Sequence, residues 1–141
     1  MEIKTNDLLK ALSKDDTDLD EYFSSNPDAF VDLSVKQFWT GALRGRDISK
    51  CDIINKSDLS YCYFYDVING RKVPNKDKII RIVLAAGLSL DQCQEALRLS
   101  GKSALYPRIR RDSIIIYAIN NRLSVYGANE LLTRFKEETL K

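Results

Sequence analysis

The chain has 141 residues, with 44% hydrophobic and 30% charged side chains, enough apolar residues to bury a core without disulfide or metal staples. It contains no histidine, which excludes histidine-dependent triads, the commonest general base and histidine-ligated metal sites. The net charge of +2 conceals an asymmetry: residues 1–33 carry three lysines against nine acids, whereas residues 34–141 carry 19 bases against 11 acids.

Three cysteines, Cys51, Cys62 and Cys93, are odd in number and lack paired C-x-x-C spacing, so no zinc or redox motif is expected and a reducing cytoplasm is the expected setting. They read as small buried residues, with Cys62 as the one to find exposed. The longest apolar stretches, such as residues 79–88, are too short or interrupted for a membrane span, and no signal-peptide run follows Glu2 and Asp7. The expectation is a cytoplasmic protein with no membrane partner.

In chain order, every strong signal has a helical period, and the sequence predicts an all-α fold. Residues 1–33 form an acidic helical arm, with helix starts at Thr5, at Thr17 (with Asp20 three residues on) and near Asn26-Pro27. This arm is either a solubilising tail or a shield that competes for a basic face. From Ser34, Val35, Phe38, Trp39, Ala42 and Leu43 recur at three- and four-residue steps, and Gly45 ends the helix. Short helices follow over Lys50–Ser57 and Tyr61–Ile68, stopped by Asn69-Gly70 and the basic loop Arg71-Lys72-Val73-Pro74. Asn75 caps a helix through Ala86 ended by Gly87, and Ser89 caps another through Leu99 ended by Gly101.

Residues 102–141 are expected to add two helices packed on the domain of residues 34–101. Pro107 suits the first turn of one containing Ile114, Ile115, Ile116, Ala118 and Ile119; Ser113–Ile119 also has a strand's composition, but helix is favoured because the segment extends to Asn121. The last helix runs from Ser124 to Thr139, with Val125, Ala128, Leu131, Leu132 and Phe135 on one face. That face either packs inward or forms a homodimer interface.

The stretch from Lys50 to Pro74 is the most informative. Two short helices joined by a three-residue turn need an αL-tolerant corner and apolar residues that lock one helix across the other. Asp58 takes the corner, Ile53 and Ile54 face inward from the first helix, Leu59, Phe64, Val67 and Ile68 lock the second, and Ser60 caps it.

With these residues, and the run DIINKSDLSYCYFYDVINGRKVPNKDKIIRIVLAAGLS, the chain resembles the Cro and phage-repressor type of helix-turn-helix regulators, the XRE family, over roughly Ser34 to Ser100. The resemblance implies a lambda-repressor-like helix-turn-helix bundle, carrying here the acidic arm and two extra C-terminal helices. It also implies sequence-specific double-stranded DNA binding as a bacterial or phage-type transcription regulator, commonly dimeric, with neither cofactor nor metal and no enzymatic activity. Carried over position by position, Ser60, Tyr61, Cys62, Tyr65 and Asp66 would face bases or nearby backbone, and Lys50, Asn69, Arg71 and Lys72 would meet phosphates.

Two departures from the family pattern stand out. Asp58 replaces the usual Gly, and the second helix is Tyr-rich, with no Arg, Gln or Lys for bidentate base contacts. Asp66 must accept from a cytosine amine, pair with a base such as Lys50 or Arg71, or signal that this face binds a protein instead, as an adaptor would. The bases concentrated between Arg71 and Arg111, ten against three acids, suggest a polyanionic partner or else a solvated mixed surface; Arg108, Arg110 and Arg111 themselves read as solvated charge.

Overall fold

Local capping chemistry divides the chain. The computed structural model describes residues 5–13, 18–25 and 33–141, and within these every regular element is helical. The helices are α1 Thr5–Leu12, α2 Leu19–Ser25, α3 Leu33–Leu43, α4 Lys50–Ser57, α5 Tyr61–Ile68, α6 Lys76–Ala86, α7 Leu90–Leu99, α8 Arg110–Asn120 and α9 Val125–Arg134. The Ser49, Ser60, Asn75, Ser89 and Ser124 side chains each accept the backbone N–H three residues on, satisfying one of the orphan donors of a helix start.

Several helices end in the same way. A residue with positive φ follows the last turn, its N–H and that of the next residue reaching back to the final carbonyls, as at Gly87, where Leu88 donates to Val83 and Gly87 to Leu84. Asp58, Arg122 and Lys136 hold this conformation without being glycine.

α6 is the centre. Ile79, Ile80, Ile82, Val83, Leu84, Ala85 and Ala86 are all buried, so it is apolar nearly all round, and it packs against α4, α7, α8 and α9. α3 lies on α5 and α7 and drives Trp39 into the core. Each large side chain buried there contributes about 1.5–3 kcal/mol. In α8, Ile115, Ala118 and Ile119 are buried while Tyr117 is exposed, a helical face that settles the strand alternative.

Two boundary expectations, at the start of α8 and the end of α9, are corrected. The Thr17 cap and the helix near Asn26-Pro27 lie outside the described residues; α2 starts on Asp18, whose carboxylate accepts the Asp20 N–H at 3.0 Å. Pro107 precedes α8: it sits in a turn closed by the Ile109 N–H on the Tyr106 carbonyl, where its restricted φ is equally suited. α9 stops at Arg134, because Lys136 turns left-handed and the Glu137 N–H closes on Leu132. Residues 137–141 then fold back and bury Leu140, whose N–H donates to Asn129 Oδ1 at 2.8 Å. The apolar face of α9 points inward through Val125, Ala128 and Leu132, while Phe135 is 40% exposed.

Candidate nucleic-acid interface

Asp58 makes the corner. It lies at φ 58, ψ 38, and the Leu59 N–H donates to the Ile54 carbonyl, so the chain leaves α4 and enters α5 within three residues. Ser60 then caps α5, its hydroxyl accepting the Tyr63 N–H at 3.2 Å. The inner faces are as the pattern requires: Ile53, Ile54, Leu59, Phe64, Val67 and Ile68 are buried.

What remains outward on α5 is aromatic. Tyr61 is 61% exposed, Cys62 is exposed, and Tyr65 is half-buried with its ring 4.5 Å from that of Tyr61. Lys50, exposed at the start of α4, holds its Nζ 5.8 Å from the Tyr65 ring, within cation–π range. Partial burial, then the nearby Tyr61 hydroxyl, raises the Tyr65 phenol above its ordinary value, so it stays a neutral hydrogen-bonding group. Lys50, Tyr61, Cys62 and Tyr65 therefore form one cluster across the two motif helices.

Asp66 and the residues after α5 form a second cluster. Gly70 at φ 74 reverses the chain, the Arg71 and Lys72 N–H groups both donate to the Asp66 carbonyl, and Lys72 Nζ comes to 3.6 Å from the Asp66 carboxylate. The partner of Asp66 is thus Lys72, which sequence reasoning assigned to phosphate, rather than Lys50 or Arg71; the turn decides it. Asn69 is half-buried as the C-cap of α5, and Arg71 is exposed.

Sequence reasoning missed two participants. Tyr63 is flanked by the ammonium groups of Lys72 and Lys78, each 5.9 Å from its ring, and partial burial raises its phenol. Lys78, in the first turn of α6, adds a cation beside the basic loop. Tyr63 and Lys78 lie on different helices, so no spacing along the chain signals their contact.

The basic run from Arg71 to Arg111 is not one free patch. Arg81 donates to the carbonyls of Ser57 and Leu140, Lys76 reaches Ser103, Ala104 and buried Asp112, and Arg111 grips Asp77. These cations hold the fold together, so Arg111 departs from the expected solvated charge; Arg110, itself exposed, pairs with the half-buried Glu137 at 3.7 Å and donates to the Phe135 carbonyl, and Arg108 is exposed. Cys51 is exposed as well as Cys62, leaving only Cys93 buried, its thiol pushed by burial up to about 12. Ile53, Ile54 and Ser57 take the inward face of α4, which leaves Cys51 on the outward side.

Among the described residues no helix is long and apolar enough to cross a membrane. Comparison with family models, curated proteins and solved structures gives no match.

Proposed function

We propose that this protein binds double-stranded DNA sequence-specifically, as a bacterial or phage-type transcription regulator acting in the cytoplasm without cofactor or catalysis. In this reading the bundle is of the lambda-repressor kind and α5 enters the major groove by its N-terminal end. One observation carries the reading. α5 buries Phe64, Val67 and Ile68 while presenting Tyr61, Cys62 and Tyr65 outward, from a left-handed three-residue corner, with Lys50 on one side and Arg71, Lys72 and Lys78 on the other.

Tyrosine hydroxyls can donate to phosphate or base acceptors, and their rings can pack on a thymine methyl. The flanking cations supply the sequence-independent part of the affinity. Anisotropy titration of random duplex DNA at two salt concentrations, followed by site selection, tests this. Affinity should fall with salt by about 0.9 in logarithmic slope per phosphate neutralised. Absence of duplex binding at low salt would remove the reading.

A protein–protein adaptor is the second reading, supported by the Tyr61–Tyr65 ring pair on the outward face and by the Asp66–Lys72 pair that cancels one of its charges. It predicts no duplex affinity but retention of a protein partner that Tyr61→Ala abolishes.

A further inference from the structure

Where the end of α3, the α6–α7 turn and the end of α8 meet, the surface forms a half-open cavity of about 310 Å³, lined chiefly by Arg46, Ser89, Leu90, Ile119, Asn120 and Arg122. None of the residues assigned above to DNA lines it. Two arginines, Arg46 and Arg122, line this space and no acidic residue does; Asp47 and Asp91, the adjacent acids in sequence, are not among its walls. Like charges around a common concavity repel unless an anion lies between them.

Arg46 is held in place. Its Nε donates to the Ala42 carbonyl at 3.3 Å, Nη2 to Gln92 Oε1 at 3.0 Å and Nη1, at 3.5 Å, to the Gly87 carbonyl. A guanidinium has about five N–H donors, so part of its capacity is left over. Arg122 is exposed, and among the described residues its guanidinium makes no hydrogen bond or ion pair. It stands at φ 53, closing α8 where glycine closes α6 and α7. Leu90 and the edge of the largely buried Ile119 add a small apolar part to a mainly polar lining, and the cavity's size falls at the lower end of small-molecule sites.

We propose that this cavity binds a phosphate monoester, its dianionic group between Arg46 and Arg122 and its organic part on Leu90 and Ile119. A dianion cancels both charges, whereas a monocarboxylate leaves one uncompensated. This inference is independent of the DNA reading.

Calorimetric titration with phenyl phosphate, inorganic phosphate and benzoate at low ionic strength tests it. Phenyl phosphate should bind, and benzoate about tenfold more weakly, the scale of one charge-assisted hydrogen bond. Inorganic phosphate should also bind more weakly, lacking the apolar part. Arg122→Gly relieves the left-handed backbone, so its Tm should hold or rise while its affinity for phenyl phosphate drops about tenfold or more. Arg108→Ala, which removes an exposed cation outside the cavity, should change nothing. No binding of phenyl phosphate at millimolar concentration, equal affinity in Arg122→Gly, or an equal loss in Arg108→Ala would overturn the proposal. Benzoate or inorganic phosphate binding as tightly as the monoester would overturn the choice of ligand class.

Discussion

Arg111 meets Asp77 in a two-pronged contact, Nη1 to Oδ1 at 3.2 Å and Nη2 to Oδ2 at 3.1 Å, and so ties the first turn of α8 to the first turn of α6. The same guanidinium donates to the carbonyls of Glu138 and Thr139, and the Lys141 N–H reaches Asp77 Oδ2 at 3.0 Å, so one carboxylate collects α6, α8 and the C-terminal tail.

This contact sets a pH dependence. Burial alone would raise the Asp77 carboxyl, but the Arg111 and Lys141 hydrogen bonds and the charges of Arg111 and Arg81 outweigh it and hold the group below its ordinary 3.8. A depressed folded-state value means stability that is complete above 3.8 and lost as pH falls through the lower value. Asp77→Asn should lower stability at pH 7 by about 1–3 kcal/mol. In urea titrations, the gap between wild type and variant should shrink in the window below 3.8; a gap that stays constant there would show that the ion pair contributes nothing.

The corner residue is strained. Asp tolerates φ 58 less well than glycine, so Asp58→Gly should stabilise the protein by about 0.5–1 kcal/mol with no change in far-ultraviolet dichroism. Asp58→Val, β-branched at the same position, should lower the urea midpoint instead. Equal midpoints for Gly and Val would mean that the turn relaxes away from the left-handed conformation.

Asp66 restrains Lys72. If α5 meets DNA, Asp66→Asn frees that ammonium and removes a repelling charge, so affinity for every duplex should rise and the logarithmic salt slope should steepen by up to about 0.9. Tyr61→Ala and Tyr65→Ala should each weaken the preferred site by about 1–3 kcal/mol per lost base contact, while Arg71→Ala should weaken all sequences alike. Site-selection and anisotropy measurements on the four variants separate these effects. A uniform loss in the tyrosine variants would place the two rings against backbone.

The three thiols should divide by burial. Cys51 and Cys62 are exposed, whereas Cys93 is enclosed and its thiol is pushed up to about 12, so it stays protonated at pH 8 as well as inaccessible. An aromatic disulfide reagent should titrate the first two in the native protein and the third only after denaturant is added. Rapid reaction of all three would show that the α6–α7 packing opens readily.

Much of the architecture could be read along the chain, because the interactions that bound a helix span only three to five residues. Ser60, Asn75, Ser89 and Ser124 cap where their hydroxyl or amide can reach an N–H three residues on, and Asp58 with Gly70, Gly87 and Gly101 turn the chain where only a left-handed residue fits. The all-α class, α4, α5 and their buried Ile53, Phe64 and Val67 follow from these signals plus the 3.6-residue period.

Charge was legible as a count and illegible as a disposition. Nothing near Arg81 in the chain announces the Leu140 carbonyl 59 residues away, or near Arg111 the Asp77 carboxylate 34 residues away. Packing of α8, α9 and the returning tail on α6 decides which cations are consumed inside the fold and which stay at the surface. The placing of Arg46 and Arg122 on one cavity likewise exists only once separated segments are brought side by side, whereas Lys72 meets Asp66 through the local turn at Gly70, because electrostatic contacts depend on distance in space and capping depends on distance along the chain.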